Sequence, residues 1–100
     1  MKLQISSLKF DADEKLLNFI QKKADKLDVF FDRIIDGEVN LRIEPGDNKK
    51  NKLVEIKINV PGNTLFASEQ DKNFESATDS AVESLRRQLK KYKEKVVLQK

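Results

Sequence analysis

Four stretches of this chain alternate apolar and polar residues, and two repeat apolar residues at helical spacing. Lys2 to Ser7 places Leu3 and Ile5 on one side and Lys2, Gln4 and Ser6 on the other, the pattern of a short half-buried strand. Asp11, with Glu14 three residues later, resembles a capping box with Asp in the Ser/Thr position. A helix follows in which Leu16, Leu17, Ile20, Ala24 and Leu27 share one face, while Lys15, Lys22, Lys23 and Lys26 occupy the other. Asp28 to Asp36 holds Phe30, Phe31, Ile34 and Ile35 and reads as a loop that seals the end of the core. Glu38–Glu44 alternates with Val39, Leu41 and Ile43 inward. Leu53–Val60 does the same with Val54, Ile56, Ile58 and Val60. Pro45 to Asn51 is a loop by composition. Pro61-Gly62 fits the central positions of a type II turn leading into a fourth strand, Thr64 to Gln70. A long helix starts near Asn73.

The predicted order is β-α-β-β-β-α. One face of such a sheet is apolar and must be covered; the other is polar and stays in water. The expected fold is an α/β (α+β) two-layer sandwich, a four-stranded sheet with both helices on one face. One hundred residues suffice for one domain. The expected organisation is a single α/β domain over 1–96 and a short tail over 97–100.

Charge changes this picture most. Arg86 to Lys100 contains seven Lys/Arg and one acid, a net of +6, whereas the whole chain carries +3, so residues 1–85 sum to −3. On a helical wheel, Phe74, Ala77, Thr78, Ala81, Val82, Leu85, Leu89, Tyr92 and Val96 fall within one arc. Arg86, Lys90 and Lys93 flank it on one side; Arg87, Lys91 and Lys95 recur along the other. Members of such a row stand about 6 Å apart along the axis, close to the spacing of phosphates along a nucleic-acid strand. Glu83 is spaced to pair with Arg86 or Arg87, and Glu94 with Lys90 or Lys91.

Concentrated positive charge of this kind fits phosphate, but a basic helix end also complements the helix dipole and needs no ligand. A membrane-surface or partner-binding amphipathic helix is a third reading, weakened because the apolar stripe is needed to cover the sheet.

Catalytic chemistry is poorly represented. With no histidine and no cysteine, imidazole triads, thiolate metal sites and disulfides are excluded. Asp25, Asp28, Asp32 and Asp36 are spread over a helix end and a loop, and Ser76, Ser80 and Ser84 lack a base. No phosphate-loop motif is present. The expectation is a non-enzyme without cofactor or metal. No stretch reaches the roughly 18 apolar residues of a membrane span, and Met1 to Ser6 lacks a signal peptide's apolar run, so a cytoplasmic location is expected. The outward sheet positions Gln4, Ser6, Asn40, Arg42, Lys57 and Asn59 carry no aromatic pair, which argues against base stacking on the sheet.

The ordered set of segments also resembles a known family. Leu65-Phe-Ala-Ser-Glu69, Asn73-Phe-Glu-Ser-Ala-Thr-Asp79 and Leu85-Arg-Arg-Gln-Leu-Lys-Lys-Tyr-Lys-Glu-Lys95 are similar to the C-terminal half of the ribosome hibernation-promoting factors, also called ribosome-associated inhibitor A or sigma-54 modulation proteins. Phe19 to Leu27 and Phe30-Phe-Asp-Arg-Ile34 resemble that family's first helix and following loop. The resemblance implies a non-enzymatic domain shaped like double-stranded-RNA-binding domains. Such a domain occupies the mRNA and tRNA path at the A and P sites of the small ribosomal subunit and silences translation in stationary phase or stress.

By the same resemblance, Arg87, Lys91, Lys93 and Lys95 on the last helix and Lys23 and Lys26 on the first contact rRNA. Arg33 matches too, with a structural ion pair as its other reading. Arg86 and Lys90 join the set from the wheel alone. Asn73, Glu75 and Thr78 stand where the family usually has Asp, Tyr and Ile, so local packing there is expected to differ. The chain stops at Lys100, which reads as a short form, monomeric when free. The expected partner is the small ribosomal subunit, with no small-molecule substrate and no membrane. The alternative is a protein-interaction modulator docking on a transcription or signalling partner.

Overall fold

The computed structural model describes residues 1–46 and 49–98, with side chains up to Lys95 in the last helix. The elements are β1 (Leu3–Leu8), α1 (Glu14–Phe30), β2 (Asp36–Ile43), β3 (Lys52–Val60), β4 (Asn63–Asp71) and α2 (Phe74–Leu98). One sheet has the order β1-β2-β3-β4. β1 and β2 are parallel because α1 crosses between them; β2/β3 and β3/β4 are antiparallel. The architecture is the four-stranded sheet with two helices that the alternation predicts, and the pairing makes the sheet mixed.

Period-2 alternation decides which side of each strand is covered. Val39 and Leu41 from β2, Val54, Ile56, Ile58 and Val60 from β3, and Leu65 and Ala67 from β4 are buried. They form one cluster with Ile20, Leu27 and Phe31 below the first helix and Phe74, Ala77, Ala81, Leu85 and Leu89 of α2. Gly37 in β2 is closely packed: a Cβ there would lie 2.9 Å from Leu3 Cδ1, so the Leu3 side chain would have to shift. Gly62 takes φ 76° in the two-residue turn between β3 and β4, the positive value its place after Pro61 predicts.

Both helices are capped by a short side chain at their N-termini. Leu16 N donates to Asp13 Oδ1 at 2.8 Å, so Asp13, not Asp11, caps α1. The spacing had favoured Asp11; the chain turns two residues later because Phe10 packs against Phe74, ring centroids 5.1 Å apart, before α1 begins. Ser76 N donates to Asn73 Oδ1 at 2.7 Å, so Asn73 serves the capping role.

Three boundaries differ from the reading of the sequence. α1 runs on to Phe30, so the supposed loop from Asp28 begins only at Phe31. Phe30, at the end of α1, is half-buried; in the connection Phe31 is buried and Ile35 exposed, so the segment seals the core through Phe31. Ile43 is exposed because β2 ends there, beyond the helix layer. α2 continues to Leu98, into the segment expected as a tail; Gln99 and Lys100, the rest of that tail, lie outside the described residues.

The two helices run in the same direction. Phe10 on Phe74 marks their starts, and Phe31 meets Tyr92 edge-on at 5.4 Å near their far ends. Tyr92 Oη also donates to the Pro61 carbonyl, pinning α2 to the β3–β4 turn. At 1.5 Å per residue, α2 is about 37 Å long and α1 about 25 Å, so the last turns of α2 extend past α1.

Candidate nucleic-acid interface

A 3.6-residue period fixes which residues face the furrow between the helices. On α1 the flank toward α2 carries Phe19, Lys23, Lys26 and Phe30; on α2 the facing flank carries Asp79, Arg86 and Lys93. Lys23 Nζ sits 3.0 Å from Asp79 Oδ1 and 5.4 Å from the Phe19 ring centroid. Further along, Lys93 Nζ lies 4.6 Å from the centroid of Phe30 and donates to the Phe30 carbonyl at 3.0 Å. Arg86 Cζ is 5.9 Å from the same ring, and its guanidinium pairs with Glu83 at 3.3 Å.

Lys93 has a local structural reason. The last turn of α1 contains no basic residue, although its unsatisfied carbonyls form the negative end of the helix dipole. Lys93 supplies from α2 the cation that α1 lacks. The sequence pattern offers Lys23 and Lys93 no partner on their own helices; the packing gives each a partner on the other helix, and both are half-buried.

The other six predicted residues differ. Lys26, Arg33, Arg87, Lys90, Lys91 and Lys95 are exposed, and none makes an ion pair among the described residues. Lys26 lies on the α1 flank and Lys90 above Arg86 and Lys93 on α2. Arg87 crests α2, and Lys91 and Lys95 face the β4 side, where Gln88 Nε2 donates to the Phe66 carbonyl at 2.8 Å. Arg33 follows α1 in the connection to β2. Glu94 makes none of the pairs its spacing to Lys90 and Lys91 offered among the described residues. The cations thus gather on the helix layer, toward the C-terminal ends of both helices.

Phe30, Phe19 and Asp79 belong to this arrangement and were missed as site residues. Helical spacing held the signal: on one flank, positions 19 and 30 are aromatic and enclose the basic positions 23 and 26.

The opposite face of the molecule is locally neutral. Lys57 pairs with Glu38 at 3.5 Å across β2/β3, and Arg42 with Glu44 at 2.8 Å. Asn59 donates to Asp36 at 2.6 Å, and Thr64 to Asn59 at 2.9 Å. Phe66 on β4 is half exposed on this face, opposite Lys57. A depression of about 480 Å³ lies at the other end of the helices, lined by Phe10, Asp13, Leu16, Phe19 and Glu75 among others, and holds no convergent catalytic set. Among the described residues no cluster of acids is placed to hold a metal ion, and no helix is long and apolar enough to cross a membrane.

A two-layer α/β module whose helix layer gathers exposed cations toward one end, and whose sheet face pairs its charges across strands, is the class that fold and surface define. The chain belongs to the Sigma 54 modulation protein / S30EA ribosomal protein family, whose model matches residues 3–97. It is similar to the ribosome hibernation promoting factor of Escherichia coli K12, 31% identical over 96 residues that cover 96% of this chain and 97% of that protein. It is also similar to the ribosome hibernation promotion factor of Deinococcus radiodurans, 31% identical over 98 residues; these cover 97% of this chain but only 51% of that longer relative. Among solved structures, a ribosomal subunit interface protein from Coxiella burnetii superposes with a TM-score of 0.82 at 26% identity, covering 93% of this chain and 98% of that one. The N-terminal domain of Thermus thermophilus Protein Y shares the fold, with a TM-score of 0.81 at 24% identity over 92% of this chain and 99% of that one.

Proposed function

We propose that this chain is a cytoplasmic, non-enzymatic ribosome-hibernation factor. It occupies the mRNA and tRNA channel of the small ribosomal subunit at the A and P sites, with its helix layer on rRNA. The observation that carries the reading is the set of six exposed cations without ion-pair partners among the described residues, five on the helix layer and Arg33 in the connection that follows α1, in a chain of this family. The mechanism needs no bond chemistry. Lys26, Arg87, Lys90, Lys91 and Lys95, with Arg33 beside them, neutralise phosphates and release counterions. The folded body then excludes mRNA and tRNA by volume.

Sedimentation with ribosomes and with isolated subunits, at low and high salt, tests it. About six phosphate contacts give a slope of log K against log[salt] of roughly −4 to −5 on the small subunit. No co-sedimentation at low salt, or a shallow slope, overturns the reading in favour of a protein-docking modulator.

A further inference from the structure

The furrow between the helices holds more than a row of charges. Phe30, the last residue of α1, presents a half-buried ring within reach of two cations that come from the other helix. Its ring and its carbonyl hold the same ammonium: Lys93 Nζ is 4.6 Å from the centroid and 3.0 Å from the oxygen. Arg86 lies 5.9 Å from the centroid on the other contact. A ring face attracts a cation through its quadrupole without neutralising it. A lysine ammonium has three donors and an arginine five. With one Lys93 donor on Phe30 and the Arg86 contact on Glu83, both side chains keep donors for phosphate oxygens.

An unrestrained Lys or Arg loses much rotamer freedom when a ligand immobilises it. One already held by a ring and a carbonyl loses less, so its contact is stronger at equal charge. We propose that Phe30 is a positioning residue: it presets Lys93 and Arg86 as a two-pronged phosphate clamp between the helices. The inference rests on the rRNA-binding reading and adds a role for an uncharged residue.

The test is a salt titration of the full chain on small ribosomal subunits, with folding of each variant checked by circular dichroism. Phe30→Leu keeps apolar volume and all charges. It is expected to weaken binding about three- to tenfold with an unchanged salt slope, since no phosphate contact is lost. Phe30→Tyr keeps the ring and restores wild-type affinity. In an Arg86→Ala/Lys93→Ala background, Phe30→Leu should change affinity by less than about twofold, because its effect runs through those side chains. Fluorinated phenylalanines at position 30 keep the shape while draining the ring face, so affinity should fall stepwise with fluorine number.

Wild-type affinity in Phe30→Leu, a flat fluorine series, or an equal loss in the background without the two cations overturns the proposal. The last outcome would mean that the ring meets RNA itself. A wild-type chain that does not bind small subunits overturns the rRNA-binding reading first and this inference with it.

Discussion

Lys23 Nζ and Asp79 Oδ1 lie 3.0 Å apart and join the middle of α1 to the second turn of α2. The pair sets a carboxylate from the other helix against Lys23 and so weakens what that cation offers a phosphate backbone. It is partly exposed, so its worth to folding is small, about 0.5 kcal/mol or less. Asp79→Asn should therefore leave the melting temperature almost unchanged while freeing Lys23. Binding to small subunits should tighten about twofold at low salt, with a slope steeper by up to about 0.9. Unchanged affinity and slope would place Lys23 outside the interface.

The crest and β4 side of α2 carry the largest predicted effect. Arg87, Lys91 and Lys95 are exposed and unpaired among the described residues. Replacing all three with alanine should flatten the salt slope by roughly 2 to 3, at about 0.7 to 0.9 per lost contact. Folding should be nearly untouched, because none of the three is buried. Retained affinity in the triple variant would remove these residues from the site even if the chain binds ribosomes by another face.

How far the sequence carries can be judged from particular residues. Val39, Leu41, Val54, Ile56 and Ile58 alternate strictly, and each is buried, because one covered sheet face leaves a strand no other register. Asn73 marked the start of α2 for an equally local reason, since its side chain bonds the backbone three residues on. The end of α1 was illegible. Phe30 and Phe31 are neighbours of the same type, yet one closes the core and the other lies in the furrow; only the packing of α2 separates them. The wheel gave both flanks of α2 but not which of them meets α1. That depends on a crossing geometry no single helix encodes. Lys93 shows the limit most plainly, since its acceptor lies 63 residues away.

The amino end supplies a pH prediction. The Met1 ammonium donates to Asp25 at 3.0 Å and to Asp28, both on α1, and Gln21 Nε2 also donates to Asp25 at 2.9 Å. Hydrogen bonding to Asp28, then to Asp25, raises the amine above its usual 8.0. Burial acts to raise Asp25, but the bonds from the amine and Gln21 outweigh it and hold that carboxyl below 3.8. A raised amine stabilises the fold fully below pH 8 and loses that contribution as pH rises through its folded value. A lowered carboxyl contributes above pH 3.8 and loses its share as pH falls through its folded value. Urea unfolding should thus show stability declining on both the alkaline and the acid limb. Asp25→Asn should weaken both limbs; an alkaline limb identical to wild type would mean that the amine does not engage Asp25 in solution.

Thr78 offers a stabilising change. It is fully buried in α2, and its Oγ1 has no hydrogen-bond partner among the described residues. It sits between the core residues Ala77 and Ala81, in a helix that packs on β3 and β4. A buried hydroxyl without a partner costs about 1 to 3 kcal/mol of desolvation. Valine has nearly the same shape, a methyl in place of the hydroxyl, and leaves no cavity. Thr78→Val should therefore raise unfolding free energy by about 1 kcal/mol, read as a higher urea midpoint at unchanged m-value. Ribosome affinity should stay the same, because the residue lies on the covered side of α2, away from every exposed cation. A lower midpoint would mean that the hydroxyl finds an acceptor in solution, for which the Phe74 carbonyl one turn earlier is the nearest in sequence. The valine would then have removed a bond instead of an orphan.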